Sequence, residues 1–154
     1  MRKLLLILQV IAFTCLRLAA QEEVKVDCQD QWGPGRFNKV SVTISFDHAG
    51  FARFTQDFPE GFTAVTDQSG GGDISWGGNK MHAVFMNVGQ GQSVHFSYFV
   101  RPEAGMNGNF NIKSKLVVIS SKSKRYTTDF KDRPIKVAGT NGLLPDAMPE
   151  LKKK

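Results

Sequence analysis

Val40-Ser-Val-Thr-Ile-Ser-Phe46 decides the fold class. Val40, Val42, Ile44 and Phe46 alternate with Ser41, Thr43 and Ser45, a period of two that sends apolar side chains to one face of a strand and hydroxyls to the other. The pattern returns twice: Val94, Phe96, Tyr98 and Val100 alternate with His95, Ser97, Phe99 and Arg101, and Phe110, Ile112, Leu116 and Val118 with Asn111, Lys113, Lys115 and Val117. Shorter runs of strand composition are Val24–Cys28, Ala52–Phe58, Phe62–Thr66, Asp73–Trp76, Met81–Met86, Tyr126–Phe130 and Ile135–Ala138. No stretch keeps apolar residues at helical spacing for three turns. Turn signals fall between the runs at Gly33-Pro34-Gly35, His48-Ala49-Gly50, Pro59-Glu60-Gly61, Gly70-Gly71-Gly72, Gly77-Gly78-Asn79, Gly89-Gln90-Gly91 and Asn107-Gly108. Asn107-Gly108 is the strongest hairpin signal, because Asn-Gly suits the positive φ angles of a type I′ turn; Ser120–Lys124 would turn the next hairpin. The expectation is an all-β domain of nine or ten short antiparallel strands in a two-sheet β-sandwich.

The sandwich does not start at Met1. Arg2 and Lys3 precede the apolar run Leu4–Leu16, which Arg17 stops well short of the roughly 20 residues a spanning helix needs. Leu18-Ala19-Ala20 then offers a small-residue cleavage site. Residues 1–20 therefore read as a secretory signal peptide, with lipidation at Cys15 as the rival. Cleavage after Ala20 leaves 17 basic against 14 acidic residues, a net charge of +3 in place of +6, and no integral membrane span. It also leaves Cys28 as the one thiol, so no internal disulfide can form and stability must come from the core. Cys28 reads as a small buried hydrophobe, with intermolecular pairing as the alternative. Eleven phenylalanines remain to fill the interior. After Ala138 the sequence GTNGLLPDAMPELKKK, with Pro145 and Pro149 against helix and three terminal lysines, reads as a flexible basic tail over 139–154.

Charge is unevenly spread. Residues 21–112 carry six basic and ten acidic residues, whereas 113–136 carry eight basic residues against Asp129 and Asp132. Lys113, Lys115, Lys122, Lys124 and Arg125 mark one end of a hairpin as basic. They are candidate partner-binding residues for an acidic envelope or surface protein or an anionic envelope glycan; the plainer reading is that they keep an edge strand soluble. Nucleic acid is not the expected partner, since only Tyr126 is interleaved with these charges.

Chemistry finds little to stand on. No G-x-S-x-G occurs, Cys28-Gln-Asp-Gln-Trp32 matches no cysteine-protease signature, and no glycine-rich phosphate loop follows a strand. His48, His82 and His95 lack ligand spacing, although His82 and His95 could meet across a strand ladder. Asp67-Gln-Ser-Gly-Gly-Gly-Asp73 lacks the spacing and closing Glu of an EF-hand and reads as a flexible hairpin loop. No catalytic residue, metal or cofactor is expected. Trp32, in a Gly/Pro loop, and Trp76, closing a short strand, are candidate glycan-stacking platforms, with core burial the competing reading for each.

The run Phe51-Ala-Arg-Phe-Thr-Gln-Asp-Phe-Pro-Glu-Gly-Phe62, followed by Ile74–Met81, Val84–Val88 and Val94–Tyr98, resembles exported proteins of gliding, type-IX-secreting Bacteroidota, in which an aromatic-rich strand runs into P-x-G-F. The likeness covers about residues 36–120. It implies a cohesin-like, jelly-roll-like sandwich engaged in protein contact or envelope scaffolding, in the periplasm or at the cell surface. No second domain follows, and 139–154 does not resemble a type IX sorting domain. The functional expectation is a non-enzymatic, exported interaction module of a cell-envelope assembly, associated with secretion or gliding; the alternative is a carbohydrate-binding module.

Overall fold

The computed structural model describes residues 22–139; the expected signal peptide with Cys15, and 140–154 of the expected tail, lie outside the described residues. Eleven strands form two packed sheets, as the period of two requires. The smaller sheet has the order β1-β3-β8-β5, from β1 (Glu23–Asp27), β3 (Asn38–Ser45), β8 (Ser93–Pro102) and β5 (Phe62–Gln68). The larger has the order β2-β11-β9-β4-β7-β6, from β2 (Gln31–Trp32), β11 (Arg133–Val137), β9 (Gly108–Ser120), β4 (Gly50–Asp57), β7 (Lys80–Val88) and β6 (Asp73–Gly77). β10 (Arg125–Asp129) adds to the far half of β9, beyond β11.

Three expectations need correction. The strand that composition missed is β2, two residues long, which pairs in parallel with β11 through Gln31↔Lys136 and Trp32↔Val137; every other ladder is antiparallel. Asn107-Gly108 does not turn a hairpin, because β8 and β9 lie in different sheets. Gly108 has φ 137° but Asn107 is not among the positive-φ residues, so the type I′ geometry is absent. Gly70–Gly72 is likewise an arch from β5 in one sheet to β6 in the other, not a hairpin loop. The arch is tight: a Cβ on Gly70 would fall 2.1 Å from the His95 carbonyl oxygen, and one on Gly72 would meet the Phe85 ring. Ser120–Lys124 does turn a hairpin, β9–β10, with Ser123 at φ 59°.

The inward faces interlock. Val40, Val42 and Ile44 of β3 and Phe96, Tyr98 and Val100 of β8 are fully buried against Ala52 and Phe54 of β4, Met81 and Ala83 of β7 and Val118 of β9. Phe54 and Phe96 meet edge to face across the two sheets at 5.9 Å. One polar chain crosses this core. Tyr98 donates its hydroxyl to the Gln56 side-chain oxygen, and Gln56 Nε2 donates to Ser114 Oγ at 3.0 Å, so these three buried side chains satisfy one another. Burial pushes the Tyr98 phenol well above its ordinary value.

The two ends of the described chain lie at opposite ends of the strands. Glu22, just before β1, accepts from the Asp47 backbone N–H at 2.8 Å and contacts His48 Nδ1 at 2.9 Å. The His48 ring stacks on Tyr126 of β10 at 3.5 Å. This clasp joins the smaller sheet to the larger beside the β9–β10 turn. At the other end Ala138 N–H donates to the Trp32 carbonyl at 3.0 Å.

Candidate interaction surface

The larger sheet turns one face to solvent, and its cross-strand register sets out what that face presents. Opposed residues share a face, so β7, β4, β9 and β10 can be read in rows. Nearest the β9–β10 turn, Phe51 stands opposite Ile119, which stands opposite Arg125. Between Gly50↔Val88 and Ala52↔Phe85 the register shifts, so Phe51 faces both Met86 and Asn87. Such a two-against-one bulge re-aims side chains, and Asn87 takes the left-handed φ of 57° that asparagine tolerates. The next row is Val84, Arg53, Val117 and Thr127; then come His82, Thr55, Lys115 and Asp129; then Lys80, Asp57 and Lys113.

The face thus has two parts. Its lower rows are ion-paired, Lys115 to Asp129 at 3.4 Å and Lys80 to Asp57 at 3.2 Å, around a shallow depression of about 440 Å³. Its upper rows are apolar. Met86 is 69% exposed and Ile119 39%, and they flank the half-buried Phe51, with Val84 and Val117 alongside. An isolated exposed apolar side chain is ordinary, but a contiguous group rimmed by charge marks a contact site. The rim is basic: Arg53 and Arg125 stand on this face, and Lys122 projects from the turn. None of the three forms an ion pair among the described residues.

The expected basic cluster is therefore divided. Lys113 and Lys115 share a strand face, but at the ion-paired end of the sheet. Lys122 and Arg125 lie at the apolar end, and Lys124 turns around the edge to sit 5.1 Å over the Tyr126 ring. β10 is an edge strand, and of these basic residues only Arg125 lies on it. The apolar rows were not legible as a site, because Val84 and Met86 lie in a run whose alternate residues are also apolar.

The two tryptophans separate. Trp32 is fully buried, with its indole N–H donated to the Gln29 carbonyl at 2.8 Å and its ring against Phe62; it offers no platform to a glycan. Trp76 is half-buried and lines a cleft of about 210 Å³ with Phe58, Phe62, Thr63 and Asn79. Its ring packs on Tyr98 at 5.3 Å and its N–H donates to Thr66 Oγ1.

The histidines scatter too. His82 and His95 lie on strands of different sheets and cannot meet across a ladder; His95 contacts Thr43 Oγ1 at 3.1 Å. Asp67 is held by Lys39 at 2.9 Å and by Ser97 at 2.8 Å, while Asp73 stands beside Val84 on the other sheet. Among the described residues no group of three His, Cys, Asp or Glu converges as a metal site. Cys28 is half-buried against the core, and that burial raises its thiol pKa, opposed by Arg133, which disfavours the thiolate. No helix among the described residues is long and apolar enough to cross a membrane.

No family model matches the chain, and no curated protein matches it. Solved structures do. A variant of BcpA, the major pilin subunit of Bacillus cereus, superposes with a TM-score of 0.59 at 8% identity, over 75% of this chain and 40% of the pilin chain. ACE19, the collagen binding subdomain of the Enterococcus faecalis surface protein ACE, superposes with a TM-score of 0.51 at 11% identity, over 73% of this chain and 95% of that one. This chain thus spans well under half the length of the pilin. At such identities the likeness defines the class of fold, a two-sheet β-sandwich.

Proposed function

We propose that this protein is a non-enzymatic, exported interaction module of a cell-envelope assembly. The observation that carries the reading is the upper half of the larger sheet's outer face, where Met86 and Ile119 are exposed beside Phe51 and rimmed by unpaired Arg53, Lys122 and Arg125. The composition of that face, apolar at the centre and cationic around it, suits binding rather than chemistry. The signal-like sequence of residues 1–20 supports export. The same class of fold serves in a pilin subunit and in a collagen binding subdomain, and the resemblance carried by Phe51–Phe62 makes secretion or gliding machinery the candidate assembly.

The test is cross-linking in the intact envelope of the native host. The wild-type chain is expected to give a discrete cross-linked product that Met86→Ser with Ile119→Ser removes while the protein remains folded. A product unchanged by that pair, or none at all, ends the reading. The cleft beside Trp76 favours a second reading, glycan binding, which predicts glycan-array signals lost on Trp76→Ala; an array without signals disposes of it.

A further inference from the structure

We propose that the apolar, cation-rimmed end of the larger sheet's outer face lies against an anionic lipid surface. This rests on the reading of that face as the module's binding surface and names what it binds.

Charge complementarity is the first support. With Lys80 and Lys115 engaged by Asp57 and Asp129, the outer face retains Arg53, Arg125 and Lys113 without partners. Lys122 joins them from the turn, against Asp73 in the same rows and Asp132 beside Lys113 at the lower depression. Each cation held near an anionic bilayer adds about 1 kcal/mol of attraction. The shape and chemistry of the centre are the second support. Met86, Phe51 and Ile119 form one row across three strands of a sheet, so they reach the same plane together, as an interfacial contact needs.

The third support is where the chain enters. Glu22 is tied by His48 to Tyr126, the neighbour of Arg125. Five residues, Arg17–Gln21, separate Glu22 from the apolar run Leu4–Leu16, a reach of at most ~22 Å. While that run remains attached and in a bilayer, it is this end of the sandwich that faces the lipid.

The test uses the exported protein as the cell processes it, mixed with vesicles of phosphatidylcholine alone or with about a third phosphatidylglycerol. Sedimentation with the anionic vesicles is expected, and it should fall steeply as salt shortens the screening length below ~8 Å. Arg53→Ser, Lys122→Ser and Arg125→Ser together should lower partitioning at least ~10-fold, and Met86→Ser with Ile119→Ser should lower it comparably. Lys25→Ser, on β1 of the other sheet, removes a charge of the same sign and should leave partitioning unchanged. Equal sedimentation with neutral vesicles, or none with either, overturns the lipid assignment, as does indifference to the patch variants. If vesicle binding fails but the cross-linked envelope product still depends on Met86 and Ile119, the module reading stands with an acidic protein as its partner. If both fail, both readings fall.

Discussion

The outer faces of the two sheets obey the same period of two and differ in how far their side chains engage one another. On the smaller sheet the outward residues are engaged with one another: Ser45 to Ser93 at 2.9 Å, Thr43 to His95 at 3.1 Å, Ser97 to Asp67 at 2.8 Å, and Asp67 on to Lys39 at 2.9 Å, while Phe99, beside Val65, lies under the Lys39 ammonium and Arg101 stands over Phe37. On the larger sheet the corresponding positions hold Phe51, Val84, Met86, Val117 and Ile119 among arginines without ion-pair partners. A face whose groups satisfy each other needs only water. A face that leaves apolar surface and cations open suits a second surface, as the proposed module requires.

The largest effect expected on this contrast comes from a substitution beneath the larger face. Gly50, at φ 151°, would place a Cβ 2.1 Å from the Ile119 carbonyl oxygen, so Gly50→Ala must push β4 off β9. Denaturant titration should show a loss of ~3 kcal/mol or more. Gly91→Ala, also left-handed at φ 75° but with nothing within 4 Å, should cost about 1 kcal/mol; equal losses would mean that conformation alone, not the close approach of β9, decides the cost at Gly50. Next in size is the polar chain that crosses the core between the sheets. Tyr98→Phe leaves the Gln56 oxygen buried without its donor and should cost ~1–3 kcal/mol, with both sheets melting together.

The outward residues themselves should matter less to stability. Met86→Ser with Ile119→Ser is expected to shift the unfolding free energy by under ~0.5 kcal/mol; a loss of several would make the row part of the fold and erase the distinction between the faces. Smallest is the pH dependence of the smaller face. The hydrogen bond from Lys39, then that from Ser97, hold the Asp67 carboxyl below its ordinary value. Its contribution is therefore complete above the unfolded carboxylate pKa of ~3.9 and is lost as pH falls through the lowered folded value. Lys39 is half exposed, so the effect stays under ~1 kcal/mol. Lys39→Met should flatten the acid limb of a urea-midpoint profile; an unchanged limb would remove Asp67 from the account.

The strands were legible because a half-buried strand writes its burial into alternate residues, as Val40 to Phe46 do. Connections were not. Glycine and asparagine record that the backbone turns, not whether the next strand stays in the same sheet, and so Asn107-Gly108 and Gly70–Gly72 read as hairpins although both cross between sheets. Trp32 escaped because a two-residue strand beside Gly33-Pro34 has no period to detect, and its parallel partner β11 lies about a hundred residues away. Half of the proposed binding face was visible as charge at Lys122 and Arg125. The other half depended on register across four strands and on the bulge opposite Phe51, neither of which one strand's sequence contains.

The placement of the chain ends has a mechanical meaning. Glu22 leaves the sandwich at the β9–β10 turn and Gly139 at the opposite end, beside Trp32, with the thirteen residues of β9 spanning ~40 Å between these levels. Tension applied at these two points runs along β1 and β11 rather than across them. The ladders of β1 on β3 and of β11 on β9 would then be sheared as whole sets of bonds instead of peeled one at a time, which is the geometry that resists force best in a hydrogen-bonded sheet.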